Sequence, residues 1–408
     1  MMAAALHTTS ARRDRTLRGL LIGVVALLAL AEVLAIYVIL PGRAPATFTA
    51  MQPDSVAYVC QGLQMSGIDP ALAHEMSATV FATFGYPPDF CSTAFAVIPW
   101  QVFARPLLPA LIAVSAGILH TSWSILLPSI GIFAIFTFMW LTIVVPRARR
   151  LRLRDWLVAL APFAAITMIL WPAGVLTEGP VVVLSLLCVV LLAIRPGEPP
   201  QPGEPAQSSS RLSAPIILGA LAVAGLALLL TRQSWPIVGA IWTAALLQQA
   251  WRRWPGGRAR AAFLTIASAA VGFALAIACA RLFEALLVPT GLKERQKYVP
   301  EGLVLQDLPA MVWSSITSTA NDIVIAVTRG DVISPVVLVA GLIAIVLLVR
   351  NRHWALAWVC GAAWALGFYA VGLVQVFDDA SRTHLRFLVP ATVMSIGALV
   401  LAERRHQS

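Results

Sequence analysis

The sequence predicts an all-α, polytopic integral membrane protein with about ten transmembrane helices. Three observations predict this fold class. Hydrophobic residues make up 59% of the 408 residues, charged residues make up only 12%, and the mean hydropathy is +0.83. Apolar runs long enough to cross a hydrocarbon core of about 30 Å recur along the chain. The charged residues lie between those runs, so lipid and not water surrounds most of the protein.

The apolar runs place the ten helices in order along the chain. They lie near residues 19–40, 122–145, 156–172, 181–195, 213–231, 236–251, 261–287, 332–349, 354–376 and 387–402. The apolar segment 106–119 is not counted, because about 14 residues rise only about 21 Å as a helix and fall short of the hydrocarbon core. We expect this segment to dip into the outer leaflet or to lie along it.

The arginines decide the orientation of the chain in the membrane. They form short clusters after every second predicted crossing, which is the positive-inside pattern. Both termini are therefore expected in the cytoplasm, and the abundant Ala, Arg and Pro favour the inner (plasma) membrane of a bacterium. The net charge of +10 does not predict nucleic-acid binding, because the basic residues form no single face. The main clusters are 12–18, 147–154, 252–260, 350–352 and 404–405.

A Pro-, Gly- and Ser-rich segment at 196–211 divides the chain into two membrane modules, 1–195 and 212–408. Its composition predicts a disordered cytoplasmic linker. Each module contains one long extracytoplasmic loop, at 41–121 and at 289–331, and long loops in helical bundles usually carry a function. The first loop is predicted to contain two helices, an amphipathic one from Asp54 that lies at the membrane interface and one after Asp69.

The cysteines fall into two groups. Cys188, Cys279 and Cys360 lie inside predicted crossings and fit buried core positions. Cys60 and Cys91 both lie in the first outer loop, where the compartment is oxidising, so a disulfide is favoured over two free buried thiols. Such a bond would stabilise the loop by about 3 kcal/mol.

Two charged residues occupy very short turns between predicted crossings. These are Glu178 and Arg232, and a charge at such a tight, partly buried position is costly without a partner. Either the two form a structural ion pair between helices, or they belong to a shared polar cavity at the outer membrane surface. Arginine binds phosphate through bidentate hydrogen bonds. A carboxylate can act as general base on a hydroxyl, so these residue types suit group transfer from a lipid-linked phosphate donor.

Four short segments occur in a fixed order along the chain: 53–58 around Asp54, 104–111 around Arg105, Thr177 with Glu178, and 382–390. Together with the helix order over most of the chain, they resemble the C-type (GT-C) superfamily of membrane glycosyltransferases. The similarity is to mannosyltransferase-like members that use polyprenyl-phosphate-linked sugars. That family often has a paired acidic motif in the first loop, where this chain has Asp54 alone, and Asp89 could equally be the functional acid.

The resemblance implies roles for named residues. Asp54 would be the catalytic general base that deprotonates an acceptor hydroxyl, and Glu178 would position a sugar, a basic residue or a metal. Arg105 would fix the first loop or bind substrate. The implied partners are a polyprenyl-phosphate-linked sugar, membrane lipid, and a glycan, lipid or protein acceptor, with a divalent cation left open as a cofactor. The residues expected to bind the donor phosphate are Arg232, Arg382, His384 and Arg386.

Other function classes stay open. A multi-pass transporter would place ionisable residues near mid-membrane and would show a repeat between its halves. Glu32 is the only ionisable residue well inside a predicted crossing, apart from Arg281 and Glu284 towards the end of another. A non-enzymatic membrane protein of envelope assembly is a further alternative. A lipid-linked polysaccharide ligase or polymerase has a similar helix count, but its dominant outer loop is expected late in the chain.

Overall fold

The fold is all-helical in the part of the chain that the computed structural model describes, as the sequence predicts. No strand occurs among those residues. They are 2–43, 51, 53–91, 103, 105–145, 153–164, 174, 176–194, 214–231, 234–253, 257–289, 308–328, 330–375 and 385–405.

The helices of the first half are α1 (Met2–Leu34, continued by a π-helical turn at Ala35–Ile39), α2 (Pro53–Ser66), α3 (Pro70–Thr83), α4 (Leu107–Leu119), α5 (Leu127–Val144), α6 (Leu153–Ala164) and α7 (Glu178–Ala193). Those of the second half are α8 (Ala214–Thr231), α9 (Trp235–Arg253), α10 (Arg258–Leu287), α11 (Leu308–Thr328), α12 (Ile333–Arg350), α13 (Trp354–Gln375) and α14 (Val389–Arg405). Short 3-10 helices at Ser122–Ile125 and Leu385–Leu388 precede α5 and α14.

Among the described residues, six helices are long and apolar enough to cross a membrane, which confirms the membrane character of the chain. Three more are apolar but shorter: Leu107–Leu119, Glu178–Ala193 and Val389–Glu403. Every predicted crossing coincides with a helix, although α6 is described only as far as Ala164, and the number of crossings stays a prediction. The six candidate spans are Thr16–Ile39, Leu127–Val144, Ala214–Thr231, Arg260–Leu287, Ile333–Arg350 and Trp354–Val371.

The centre of the bundle is formed by α7 and α14. Helix α14 is buried from Val389 to Ala398 and packs against α5, α7, α12 and α13. Contact between α7 and α14 is close, because a Cβ on Gly397 would lie 3.1 Å from Leu186 Cδ2. Small residues at such positions let membrane helices approach each other, where packing rather than the hydrophobic effect drives association. Helix α7 has only 16 residues, so a short helix lies at the centre.

An ion pair shows which helix ends lie together. Arg154 Nη1, at the start of α6, lies 3.2 Å from Glu403 Oε2, near the end of α14. Near the same end, Trp140 Nε1 of α5 donates a hydrogen bond to the Ala159 carbonyl oxygen of α6, at 3.2 Å. The start of α6 and the end of α14 therefore lie together, which agrees with the prediction that the arginine clusters share one membrane face.

Helices α8, α9 and α10 pack side by side through glycines. Cβ atoms on Gly225 and Gly239 would meet the Trp242 and Phe273 rings at 2.6 Å, so each aromatic ring fills the space above a glycine. This is the small-against-large packing of membrane helices. Helix α10 packs mainly on α9 and exposes the rest of its surface. The exposed apolar side chains of α10 include Phe263, Ile266, Leu275 and Leu286.

Helix α11 lies within segment 289–331, which the sequence leaves as an outer loop. Its polarity is the reverse of that of a water-soluble helix, since it buries a polar face against its neighbours. Helix α11 packs against α13 and contacts the 3-10 turn Leu385–Leu388. The buried polar residues are Ser315, Ser318 and Asp322, and the exposed apolar residues are Val312, Trp313, Ile316, Val324 and Val327.

Candidate functional site

Helices α2 and α4 run parallel to each other in close contact. The Arg105 guanidinium, just before α4, donates a hydrogen bond from Nη1 to Tyr58 Oη on α2, at 3.2 Å. One turn further along α2, a Cβ on Gly62 would lie 2.8 Å from Ile112 Cβ on α4. Residue numbers rise together along both helices, so they are parallel. Tyr58 and Arg105 therefore mark the end at which both helices begin.

A disulfide and buried aromatic rings fix the segment around this helix pair. Cys60 of α2 is bonded to Cys91, which is the pairing favoured by the sequence, with their Cα atoms 5.3 Å apart. The Phe81 and Phe90 rings meet edge to face, with centroids 6.4 Å apart. Asp69 caps α3 as expected, because its side chain accepts hydrogen bonds from two backbone N–H groups of the first turn.

The sequence predicts α2 as an interfacial helix with one water-facing side, and this prediction is wrong for most of its length. From Ser55 to Leu63 every residue except Ala57 is buried. The difference arises because α4 and the Cys91 region cover the face that was expected to be wet. Helix α2 is thus the core helix of the segment, because other residues pack against nearly all of its faces.

The disulfide provides a direct test of how this segment is held. Replacing Cys60 or Cys91 with Ser is expected to lower the midpoint of thermal unfolding, corresponding to about 3 to 4 kcal/mol for a loop of this size. The double replacement should shift the midpoint no further than either single one, because all three variants lose the same bond. Thermal unfolding in detergent, with and without a reductant, measures this.

Two comparisons control the disulfide experiment. Cys279, which is half-buried and not bonded, gives the matched control Cys279→Ser. This variant keeps the disulfide, so it should unfold at the wild-type midpoint without reductant and lose as much stability as wild type when the reductant is added. Wild-type protein treated with reductant should unfold at the midpoint of the Cys60 and Cys91 variants. A wild-type midpoint that the reductant leaves unchanged would contradict the bond.

Asp54 and Arg105 lie at the same end of the α2–α4 pair. Asp54 is the second residue of α2, about one helical turn before Tyr58, which bonds Arg105. The Asp54 side chain lies outside the described part of the structure. Asp54, which is predicted to be catalytic, and Arg105, which is predicted to bind substrate, thus lie at the same place although they belong to different parts of the first loop.

Tyr58 and Gln61 were not predicted as site residues, although both lie on the face of α2 that carries Asp54. They follow Asp54 by four and seven positions, the spacing of one helical face. Tyr58 is only 2% exposed and Gln61 only 5% exposed. The Oε1 atom of Gln61 accepts no hydrogen bond from the residues that the structure describes. The i, i+4, i+7 spacing of polar groups was the signal that could have revealed them.

Glu178 lies in the first turn of the central helix α7. The sequence places it in a short turn at the start of a helix, and in the structure it is the first residue of that helix and only 4% exposed. A negative charge is favourable there because the N-terminus of a helix carries a partial positive charge. Thr177, Gly179 and Pro180 beside it are buried as well. Glu178 is therefore held in a defined position at one end of the bundle core.

The remaining predicted residues are described only in part. Arg232, Arg382 and His384 lie outside the described residues, and so does the side chain of Arg386. The backbone of Arg386 belongs to the 3-10 turn before α14, and a Cβ on Gly367 of α13 would lie 2.8 Å from the carbonyl oxygen of the next residue in that turn. The position of these basic residues relative to Asp54 and Glu178 stays a prediction.

The alternative general base and the possible metal were also predicted from the sequence. Asp89 is exposed and lies two residues before Cys91. Among the described residues, no group of three or more His, Cys, Asp and Glu side chains is arranged to hold a metal ion. The divalent cation considered from the sequence stays a prediction.

Comparison of the chain with protein-family models, with curated proteins and with solved structures finds no match. The resemblance to GT-C glycosyltransferases therefore rests on the order of four short segments and on the helix arrangement. The structure shows, independently of that resemblance, that Asp54 and Arg105 lie at one end of a helix pair and that Glu178 is buried at the start of the central helix.

Proposed function

We propose that this protein is a GT-C-type membrane glycosyltransferase with ten transmembrane crossings and both termini in the cytoplasm. It moves a sugar from a polyprenyl-phosphate donor to a hydroxyl of an envelope acceptor on the extracytoplasmic face of the inner membrane. One observation carries the proposal. The helix with Asp54 in its first turn and the helix preceded by Arg105 run parallel, start at the same end, and are held in a disulfide-bonded segment.

In the proposed reaction, Asp54 is the general base. Its carboxylate takes the proton of the acceptor hydroxyl while the hydroxyl oxygen forms a bond to the anomeric carbon of the donor sugar. The bond from that carbon to the phosphate oxygen breaks, and the phosphate leaves with the electron pair as polyprenyl phosphate. The proton then passes from Asp54 to water. The partly buried hydrogen bond between Arg105 and Tyr58 holds the segment that carries Asp54.

The donor phosphate is assigned to the basic residues. Arg232, Arg382, His384 and Arg386 are expected to bind it, because guanidinium groups match phosphate oxygens through paired hydrogen bonds. These charges stabilise the negative charge that develops on the leaving phosphate. Glu178 is expected to position the sugar or one of the basic side chains. Its burial at the start of α7 supports a site at this end of the bundle.

Transport is the second candidate function, and one observation favours it. Glu32 lies inside the candidate span Thr16–Ile39, and its buried Oε2 atom has no hydrogen-bond partner among the described residues. An ionisable side chain within a crossing often marks a path for ions or protons. Proton-coupled transport would use Glu32 and would not require Asp54.

Reconstitution tests the proposed function. The protein is incorporated into lipid vesicles with a radiolabelled polyprenyl-phosphate hexose and an envelope extract from cells that lack the gene. The expected result is label in the acceptor fraction together with an equal amount of released polyprenyl phosphate. If folded protein transfers none of the polyprenyl-phosphate hexoses, and cells with and without the gene have the same envelope glycans, the proposal is wrong. Proton flux that depends on Glu32 would instead favour transport.

A further inference from the structure

Helix α11 presents a mainly apolar face to its surroundings, on which Thr317 and Asn321 are also exposed, and it buries three polar side chains. The exposed side chains Ile316 and Val324 are 52% and 58% exposed, and Trp313 is 68% exposed. They recur at the spacing of one helical face. On the opposite side, Ser315, Ser318 and Asp322 are buried against α13 and the 3-10 turn before α14.

Burial of that polar face does not by itself favour this orientation. The hydroxyl of Ser318, which is only 1% exposed, has no hydrogen-bond partner among the residues that the structure describes. A buried hydroxyl without a partner destabilises a fold, and even a partnered carboxylate such as that of Asp322 loses its hydration when it is buried. The inward orientation of these groups must therefore be favoured by whatever surrounds the outer face of the helix.

If water surrounded α11, the opposite orientation would be more stable. Rotating the helix by half a turn would hydrate Ser318 and would bury Trp313, Ile316 and Val324, and both changes are favourable in water. In hydrocarbon the preference reverses, because the apolar side chains lose nothing by facing lipid and the carboxylate of Asp322 is far more costly there than inside the protein. The exposed Thr317 donates its hydroxyl to the Trp313 carbonyl oxygen of its own helix, at 3.0 Å. The observed orientation is the one that hydrocarbon selects.

The neighbouring surface of α12 is also apolar, as expected if lipid covers both helices. Helix α12 follows α11 after a few residues and is a candidate membrane span. It also exposes apolar side chains along its length, including Val336, Val339, Ile343 and Val346. The apolar face of α11 thus continues a surface that already has the properties of a lipid-facing one.

We infer that α11 is embedded in the hydrocarbon of the membrane, with its apolar face against lipid acyl chains. Residues 308–328 are then not part of a water-exposed loop, although they lie between the α10 and α12 crossings. The inference does not depend on the proposed transferase activity, since it rests on polarity and exposure alone.

Spin-label accessibility in vesicles tests this inference. A nitroxide is attached to Ile316→Cys or Val324→Cys in a chain whose Cys188, Cys279 and Cys360 are replaced by Ala. Collision rates are measured with oxygen, which concentrates in lipid, and with a water-soluble nickel chelate. Ile343→Cys on α12 is the lipid-facing control, and Glu75→Cys on the exposed side of α3 is the polar control.

The expected ratio of oxygen to nickel collisions at Ile316 and Val324 is close to that at Ile343 and several-fold above that at Glu75. A nickel collision rate equal to that at Glu75 would show that water covers the face and would overturn the inference. Low collision rates with both reagents would show that protein covers it, as in contact between two copies of the chain, and would also overturn it. Because two sites are labelled, misfolding of one variant leaves the other to decide.

Discussion

Asp54→Asn is expected to lower sugar transfer by at least about 100-fold, because an amide cannot take the proton of the acceptor hydroxyl. The variant keeps the size and shape of the side chain, so the midpoint of thermal unfolding should stay at the wild-type value. Transfer of label from a polyprenyl-phosphate hexose in vesicles measures the first effect, and thermal unfolding in detergent measures the second.

Two further variants make the Asp54 result specific. Glu75→Gln, on the exposed face of α3 in the same disulfide-bonded segment, removes one negative charge and should leave transfer unchanged. Asp89→Asn tests the alternative base. Loss of transfer in Asp89→Asn with normal transfer in Asp54→Asn would exchange the two roles. Normal transfer in both would mean that neither carboxylate is the base.

Gly62→Ala is expected to separate α2 from α4. The added Cβ would lie 2.8 Å from two atoms of Ile112 and 2.9 Å from the carbonyl oxygen of Pro109. The backbone oxygen cannot rotate away as a side chain can, so the helices must move apart, at a cost of about 1 to 3 kcal/mol. That movement would also stretch the hydrogen bond between Arg105 and Tyr58. We therefore expect both a lower unfolding midpoint and reduced sugar transfer.

Gly131→Ala is the matched control for this effect. Gly131 lies inside α5 with open space around the position of its Cβ, so the substitution adds a methyl group without a collision. Alanine is favoured over glycine in a helix interior by about 0.5 to 1 kcal/mol, and the variant should unfold at or above the wild-type midpoint. Equal midpoints for Gly62→Ala and wild-type protein would contradict the close packing of α2 against α4.

The transmembrane part of the fold could be predicted because lipid imposes a simple rule on sequence. A crossing helix must be apolar over most of its length, so α1, α5, α8 and α12 are visible as runs of apolar residues. Helix α3 was also predictable, since Asp69 and Pro70 form a recognisable helix start. The disulfide followed from the positions of Cys60 and Cys91 in the only loop that contains two cysteines.

The features that were missed depend on contacts between distant residues. Helix α11 escaped prediction because its Ser, Thr, Asn and Asp residues interrupt the apolar run, and only the structure shows that several of them point inward. The parallel pairing of α2 with α4 has no local signal either. Gly62 becomes informative only when Ile112 is known to face it. For the same reason, the joint position of Asp54, Tyr58 and Gln61 was not evident.

The short central helix has a consequence for the environment of Glu178. Helix α7 has 16 residues and rises about 24 Å, which is about 6 Å less than the hydrocarbon core of a bilayer. Neighbouring helices separate it from lipid, so the bilayer need not thin to match it. In the proposed orientation, the start of α7 would therefore lie below the level of the surrounding headgroups when the other end of the helix lies at the opposite boundary of the hydrocarbon. The thickness of the host membrane would then set how far below the headgroups Glu178 lies.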